Sequence, residues 1–164
     1  MPRFNPLTLP SLAERVWRRT VRIRFGDCDP SGIVYTPEYL NIFNGIIEDW
    51  YGEALRMRYH LLIGERRIGL GYAHVSADFA QPSAMGDELS VAVVIKNIGR
   101  SSLTLAVHAF KHEMECIRAN FVTVTTSLVD HSVLPIPADL RAALEAYQQH
   151  CEPTETHENR VGVG

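Results

Sequence analysis

The chain is poor in the features that place a protein quickly. Its three cysteines, Cys28, Cys116 and Cys151, are an odd number without close spacing, which argues against a disulfide framework or a zinc site. No apolar run approaches the roughly 20 residues of a membrane helix. The first ten residues, broken by Pro2, Pro6 and Pro10, contain no apolar core of a secretory signal. Neither sign of charge dominates: 16 Lys and Arg stand against 19 Asp and Glu, for a net charge of −3. A global attraction to nucleic acid or to an anionic membrane is therefore not expected. These absences point to a soluble protein of a reducing compartment, the cytoplasm in a bacterium, with neither nucleic acid nor membrane as partner.

What is present suffices for one packed domain. The 164 residues are 46% hydrophobic, enough for a single core and too few for two. The pattern divides the chain into an N-terminal arm over 1–15, a domain over 16–150 and a flexible tail over 151–164. Trp17 to Phe25 alternates as a strand, with Trp17, Val21, Ile23 and Phe25 on one side. From Glu38 to about Arg56, Tyr39, Ile42, Phe43, Ile46, Ile47, Trp50 and Leu55 fall at helical spacing and predict a long helix with a deeply buried face. After a variable, glycine-broken segment, strands are predicted over Ala73–Phe79, Glu88–Ile98, Leu103–Ala109 and Cys116–Leu128, then a last helix over Ala138–His150. Turns are read at Gly99-Arg100-Ser101 and Met114-Glu115. One long apolar helix followed by an antiparallel meander predicts an α+β fold, a curved sheet wrapped around a central helix. Such a sheet leaves edge strands that a second copy would cover, so a dimer at least is expected.

The most informative stretch is the loop from Phe25 to Tyr35, F-G-D-C-D-P-S-G-I-V-Y, which joins the first strand to the long helix. A helix start offers unpaired backbone N–H groups and a partial positive charge. Donors of that kind can hold a carbonyl oxygen as it becomes an oxyanion. Asp29 lies just before them, placed to act on a carbonyl as general base or nucleophile. The same residues are also ordinary turn chemistry, and an Asp near a helix start is often only a cap or an Asx-turn. Asp27 and Asp29 together do not make a metal site, because no His or further carboxylate completes one. Asp27 is read as bracing the loop through backbone hydrogen bonds, Cys28 as a structural thiol, and His108 and His112 as packing or surface residues.

The stretch from Val21 to Tyr39 resembles the 4-hydroxybenzoyl-CoA thioesterase family, hot-dog-fold acyl-CoA thioesterases in which F-G-D-C-D-P-x-G-I-V precedes the long helix. The likeness continues more loosely to Val129, through D-F-x-x-P at Asp78–Pro82 and the pair Gly86-Asp87. It implies a hot-dog fold, thioester hydrolysis without a cofactor, an acyl-CoA substrate and a homo-oligomer, a homotetramer included. It implies Asp29 as the catalytic carboxylate and the backbone N–H of Thr36 as donor to the thioester oxygen. Tyr35 and Thr36 would line the acyl pocket, while Arg100 and Ser101, in the turn Gly99–Ser102, would hold the nucleotide of CoA; Lys96 and Lys111 are weaker phosphate ligands. One position departs from the pattern. Where the family carries an Asp in the long helix to accept a ring hydroxyl, this chain has Asn44, which brings no charge. An aromatic acyl group is the first reading, a short aliphatic one the second. A hot-dog domain that binds acyl-CoA without turnover is a third, and a dehydratase lacks its His and acid in this loop.

Overall fold

The computed structural model describes residues 5–152. Five strands and three helices follow in order: β1 (Arg18–Arg22), α1 (Thr36–Glu53), α2 (Tyr59–Gly64), β2 (Ile68–Phe79), β3 (Glu88–Ile98), β4 (Ser102–Lys111), β5 (Met114–Ser127) and α3 (Ala138–Cys151). The strands form one antiparallel sheet in the order β1-β3-β4-β5-β2, so the meander β3–β4–β5 occupies the centre and β1 and β2 the edges.

The α1 sequence forms a helix because its apolar residues recur every three to four positions and Pro37, lacking an N–H, sits in the first turn where no donor is needed. Tyr39, Phe43, Ile46, Ile47, Trp50 and Tyr51 are its buried residues. They pack against the inner sheet face, where Leu89, Val91, Val93 and Ile95 of β3, Leu105, Val107 and Ala109 of β4 and Ile117, Ala119 and Phe121 of β5 alternate inward. At roughly 1.5–3 kcal/mol per buried large apolar side chain, this one cluster dominates the folding energy. α3 closes the open end of the core: Tyr147 donates to Val93 O at 2.6 Å, accepts from Trp17 N at 3.0 Å and packs edge-on against Trp50. Bulges between Tyr72 and His74, Ile95 and Asn97, and Ala109 and Phe110 bend the strands around the helix.

Several boundaries differ from the sequence expectation. The first strand ends at Arg22, and Phe25 turns outward on a short 3-10 turn, 83% exposed, where alternation had placed it inward. The glycine-broken segment is ordered as α2 and the first half of β2. At Gly69 an added Cβ would stand 2.5 Å from Thr126 Oγ1, so the strands approach too closely there for a side chain. The β4–β5 turn falls on His112 and Glu113, both at positive φ as a type I′ hairpin turn requires, two residues before the expected place. The arm expected over 1–15 is docked over its described part. Leu9 N donates to Glu113 O, Glu115 N donates to Leu7 O, and Thr8 bridges Met114. Beyond Glu152, the tail expected over 151–164 lies outside the described residues. No helix among them is long and apolar enough to cross a membrane.

Candidate active site

Residues 27–35 fold back as a miniature hairpin. Asp29 N donates to Ile33 O at 3.0 Å, Cys28 bridges Val34, and Tyr35 N donates to Asp27 O at 2.9 Å. The turn is closed by Asp-Pro-Ser-Gly: Gly32 N donates to Asp29 O, Pro30 presets its own φ, and Gly32 takes a φ of +82° that favours glycine. This hairpin is pinned from both sides. Asp27 accepts from Arg24 N at 2.7 Å, the bracing role read from sequence. On the other side Val34 N donates to Ser83 O and Ile33 bridges Ala84. Lys111 holds that second loop by donating to Pro82 O and Asp87.

The carboxylate of Asp29 is anchored through one oxygen. Its Oδ1 accepts from Ser31 N at 2.8 Å and from the Ser31 hydroxyl, an Asx-turn. Among the described residues no hydrogen bond uses Oδ2, which leaves that oxygen for chemistry. The Cys28 thiol beside it is pushed up by desolvation and by Asp27 and Asp29, so it is a poor thiolate nucleophile.

Two hairpin rungs separate Asp29 from Tyr35, the N-cap of α1, a distance of roughly 7 Å at the rise of a strand. Glu38 N is spent on Tyr35 O and Pro37 has no N–H, so Thr36 N is the donor the first turn of α1 leaves open; among the described residues no hydrogen bond uses it. Within one chain the two groups face different hollows. Asp29 lines one of about 320 Å³ with Phe25, Cys28, Pro30, Gly32 and Met85. Thr36 lines two neighbours, of about 290 Å³ with Ile33, Tyr39 and Phe79, and of about 350 Å³ with Leu40, Val75 and Ala77. Phe25, Ile33, Tyr35, Leu40, Phe79 and Met85 are all exposed around these hollows, an apolar patch broader than one chain covers.

The other residues singled out from sequence are distributed unevenly. Tyr35 is 55% exposed beside the hollows. Asn44 stands two turns along α1 and accepts a hydrogen bond from the Tyr72 hydroxyl at 2.8 Å. Arg100 and Ser101 lie in the β3–β4 turn, at the opposite end of β3 from the Asp29 loop, roughly 30 Å away along eleven residues of strand. That turn is firmly held: Arg141 donates to Arg100 O, and Ile136 N does the same. Sequence reading missed Tyr39 and Phe79 as site walls, because both look like core residues of regular elements. It missed Tyr72 because nothing in a glycine-rich run announces which face a residue will take. His108 is a packing residue as read, yet it is buried in contact with Glu115.

One long helix held in a curved five-stranded antiparallel sheet, with a carboxylate loop at the helix start, is the hot-dog fold. The profile of the Thioesterase-like superfamily matches residues 23–144, and the chain belongs to that superfamily. The chain is 24% identical over 144 residues to a 1,4-dihydroxy-2-naphthoyl-CoA hydrolase of Nostoc punctiforme, covering 88% of this chain and 95% of the relative. Among solved structures, a thioesterase superfamily protein from Jannaschia sp. CCS1 aligns with a TM-score of 0.74 at 26% identity, over 81% of this chain and 93% of that one. The 4-hydroxybenzoyl-CoA thioesterase from Pseudomonas sp. strain CBS-3 aligns with a TM-score of 0.69 at 24% identity, over 79% and 99%.

Proposed function

We propose that this protein hydrolyses acyl-CoA thioesters to the free acid and CoA, with an aromatic acyl group as substrate. The observation that carries the reading is a carboxylate anchored by one oxygen, with the other uncommitted, two rungs from an unspent helix N-terminal N–H. A carbonyl between them fits the span: about 3 Å from attacking oxygen to carbon, a C=O bond, and about 2.9 Å from oxygen to N–H. Asp29 acts on the carbonyl carbon, as base on a water or as nucleophile, while Thr36 N–H stabilises the tetrahedral oxyanion. Collapse breaks the C–S bond, and the thiolate leaves and takes up a proton to become CoA thiol. The named aromatic-CoA hydrolases among the relatives support an aromatic acyl group.

The distance to Arg100 is answered by a second copy. β2 exposes one unpaired edge of twelve residues. Pairing it antiparallel with its own copy across a two-fold axis removes that edge. The Phe79 end of one β2 then meets the Ile68 end of the other, which brings the partner's β3–β4 turn toward this chain's Asp29 loop. Arg100 and Ser101 serve the neighbouring site, where a guanidinium fork suits phosphate oxygens. The same pairing covers the apolar patch around Phe79 and Leu40. The unit is thus a dimer at least, and it acts in the cytoplasm, where acyl-CoA is formed.

Asp29→Asn tests the reading cleanly. The Asn carbonyl keeps accepting from Ser31, so the loop survives, while the free oxygen becomes an amide. Turnover of 4-hydroxybenzoyl-CoA should fall roughly 100- to 10,000-fold with KM little changed. Turnover equal to that of the unsubstituted protein would remove Asp29 from the mechanism.

A further inference from the structure

The face of α1 that follows Thr36 at four-residue intervals carries Leu40 and then Asn44, roughly 12 Å further along the helix. Facing it is β2, whose register contains a correction. Tyr72 pairs with Thr123 and His74 with Val122, so Ala73 is the extra residue of a bulge. Strict alternation from Val75 would have pointed Ala73 inward and Tyr72 outward. The bulge instead puts Tyr72 on the face of Ile68, Leu70, Val75 and Ala77, and its ring lies 5.0 Å from that of the core residue Phe121. Helix and strand thus flank an apolar trough, lined by Thr36, Leu40, Val75, Ala77 and Phe79. The trough leads from the helix start toward a single polar pair, where the Tyr72 hydroxyl donates to Asn44 Oδ1 at 2.8 Å. Desolvation first, and Tyr59 beside it, push the Tyr72 phenol well up, so it stays a protonated donor.

An Asn side chain has one acceptor end and one donor end. We propose, resting on the acyl-CoA hydrolysis inferred above, that Tyr72 is a specificity-determining residue: by occupying Asn44 Oδ1 it leaves the Asn44 Nδ2 amide facing the trough. The site then selects aromatic acyl groups whose far end carries a hydrogen-bond acceptor, a carbonyl, carboxylate or ether oxygen, over hydrocarbon ends of the same shape. Such a group also keeps the amide from being desolvated without a partner. The trough holds the ring, and the Asn44–Tyr72 pair reads what the ring bears.

The test compares 4-acetylbenzoyl-CoA with 4-isopropylbenzoyl-CoA, which match in shape and differ in the acceptor, alongside 4-hydroxybenzoyl-CoA, which can donate. The unsubstituted protein should favour acetyl over isopropyl by roughly five- to tenfold in kcat/KM, the net worth of one neutral hydrogen bond. In Asn44→Ala that ratio should collapse to about one. Tyr72→Phe keeps the ring on Phe121 and therefore the fold, but frees Oδ1; the preference for acetyl over hydroxyl should fall several-fold. The same ratios are read as Kd values by calorimetry on ketone analogues in which CH2 replaces the thioester sulfur. Absence of turnover would thus overturn the hydrolase reading while the affinities still judged this one. An acetyl-to-isopropyl ratio near one in the unsubstituted protein, or an acetyl-to-hydroxyl ratio unmoved by Tyr72→Phe, would overturn it.

Discussion

Removal of the Glu115 carboxylate should loosen the N-terminal arm and cost the domain about 3 kcal/mol. Glu115 is completely buried, and it accepts from His108 Nδ1 at 2.6 Å, from Arg118 Nε at 2.8 Å and from Leu7 N at 2.8 Å. Breaking a buried pair by deleting one partner costs roughly 3–5 kcal/mol. The low end applies because the Arg118 side chain is 26% exposed and can rehydrate in Glu115→Ala. At roughly 2–4 °C per kcal/mol for a domain of this size, the melting midpoint falls by about 6–12 °C. Glu88→Ala is the control. Its ion pair with Arg22 is 55% and 67% exposed, and such pairs are worth roughly 0–1 kcal/mol. Hydrogen exchange locates the effect, since the Leu7 amide should lose protection in Glu115→Ala and keep it in the control.

The same cluster sets a pH dependence with a definite sign. Burial opposes ionisation of Glu115, but the hydrogen bonds from Arg118, Leu7 and His108 together hold its carboxyl below the ordinary value of 4.5. A depressed acid stabilises the fold above its unfolded pKa and loses that contribution as pH falls through the folded one. Burial likewise holds His108 below its ordinary 6.5, by more than the Glu115 contact raises it. The unfolded chain therefore takes up the His108 proton first, and stability begins to fall below about pH 6.5. Glu115→Ala should keep this first decline and lose the steeper one below about pH 4.5. Equal melting midpoints for Glu115→Ala and Glu88→Ala, with Leu7 protection intact in both, would refute the reasoning.

Two further outcomes are expected. Tyr147→Phe removes the donor to Val93 O and the acceptor for Trp17 N in a buried place. It should cost about 2 kcal/mol by leaving both backbone groups unpaired, seen as a urea midpoint shift with turnover per folded molecule unchanged. Sedimentation equilibrium should return a mass of two or more 18.4 kDa chains; a single chain that remains active would remove the partner's Arg100 from the site.

Much of this architecture is local enough to be read from residue order. The α1 stripe from Tyr39 to Trp50 follows from a period that fits one backbone geometry, and the alternation of β3 and β4 likewise. The loop Asp27–Tyr35 is legible because Pro30 and Gly32 dictate the turn that Asp29 and Ser31 close. Asp29 and Thr36 are nine residues of hairpin and helix start, so their proximity needs no long-range contact. Where local signals fail, the cause is specific. Phe25 alternates correctly with Ile23, but the 3-10 turn that Asp27 caps breaks the alternation one residue earlier. The strand half from Ile68 to Tyr72 is hidden because its glycines lower strand propensity, while the close approach to Thr126 requires one of them.

By itself the sequence determined the α+β hot-dog architecture, the carboxylate loop and the helix donor, because each rests on short-range chemistry. Tertiary structure alone decided that Glu115 reaches back to Leu7, that Asn44 meets Tyr72, and that Arg100 lies far from Asp29 within one chain. Those outcomes depend on strand register and on a bulge at Ala73. A one-residue slip in a strand exchanges its faces, and residue order holds no local mark of where that slip will fall.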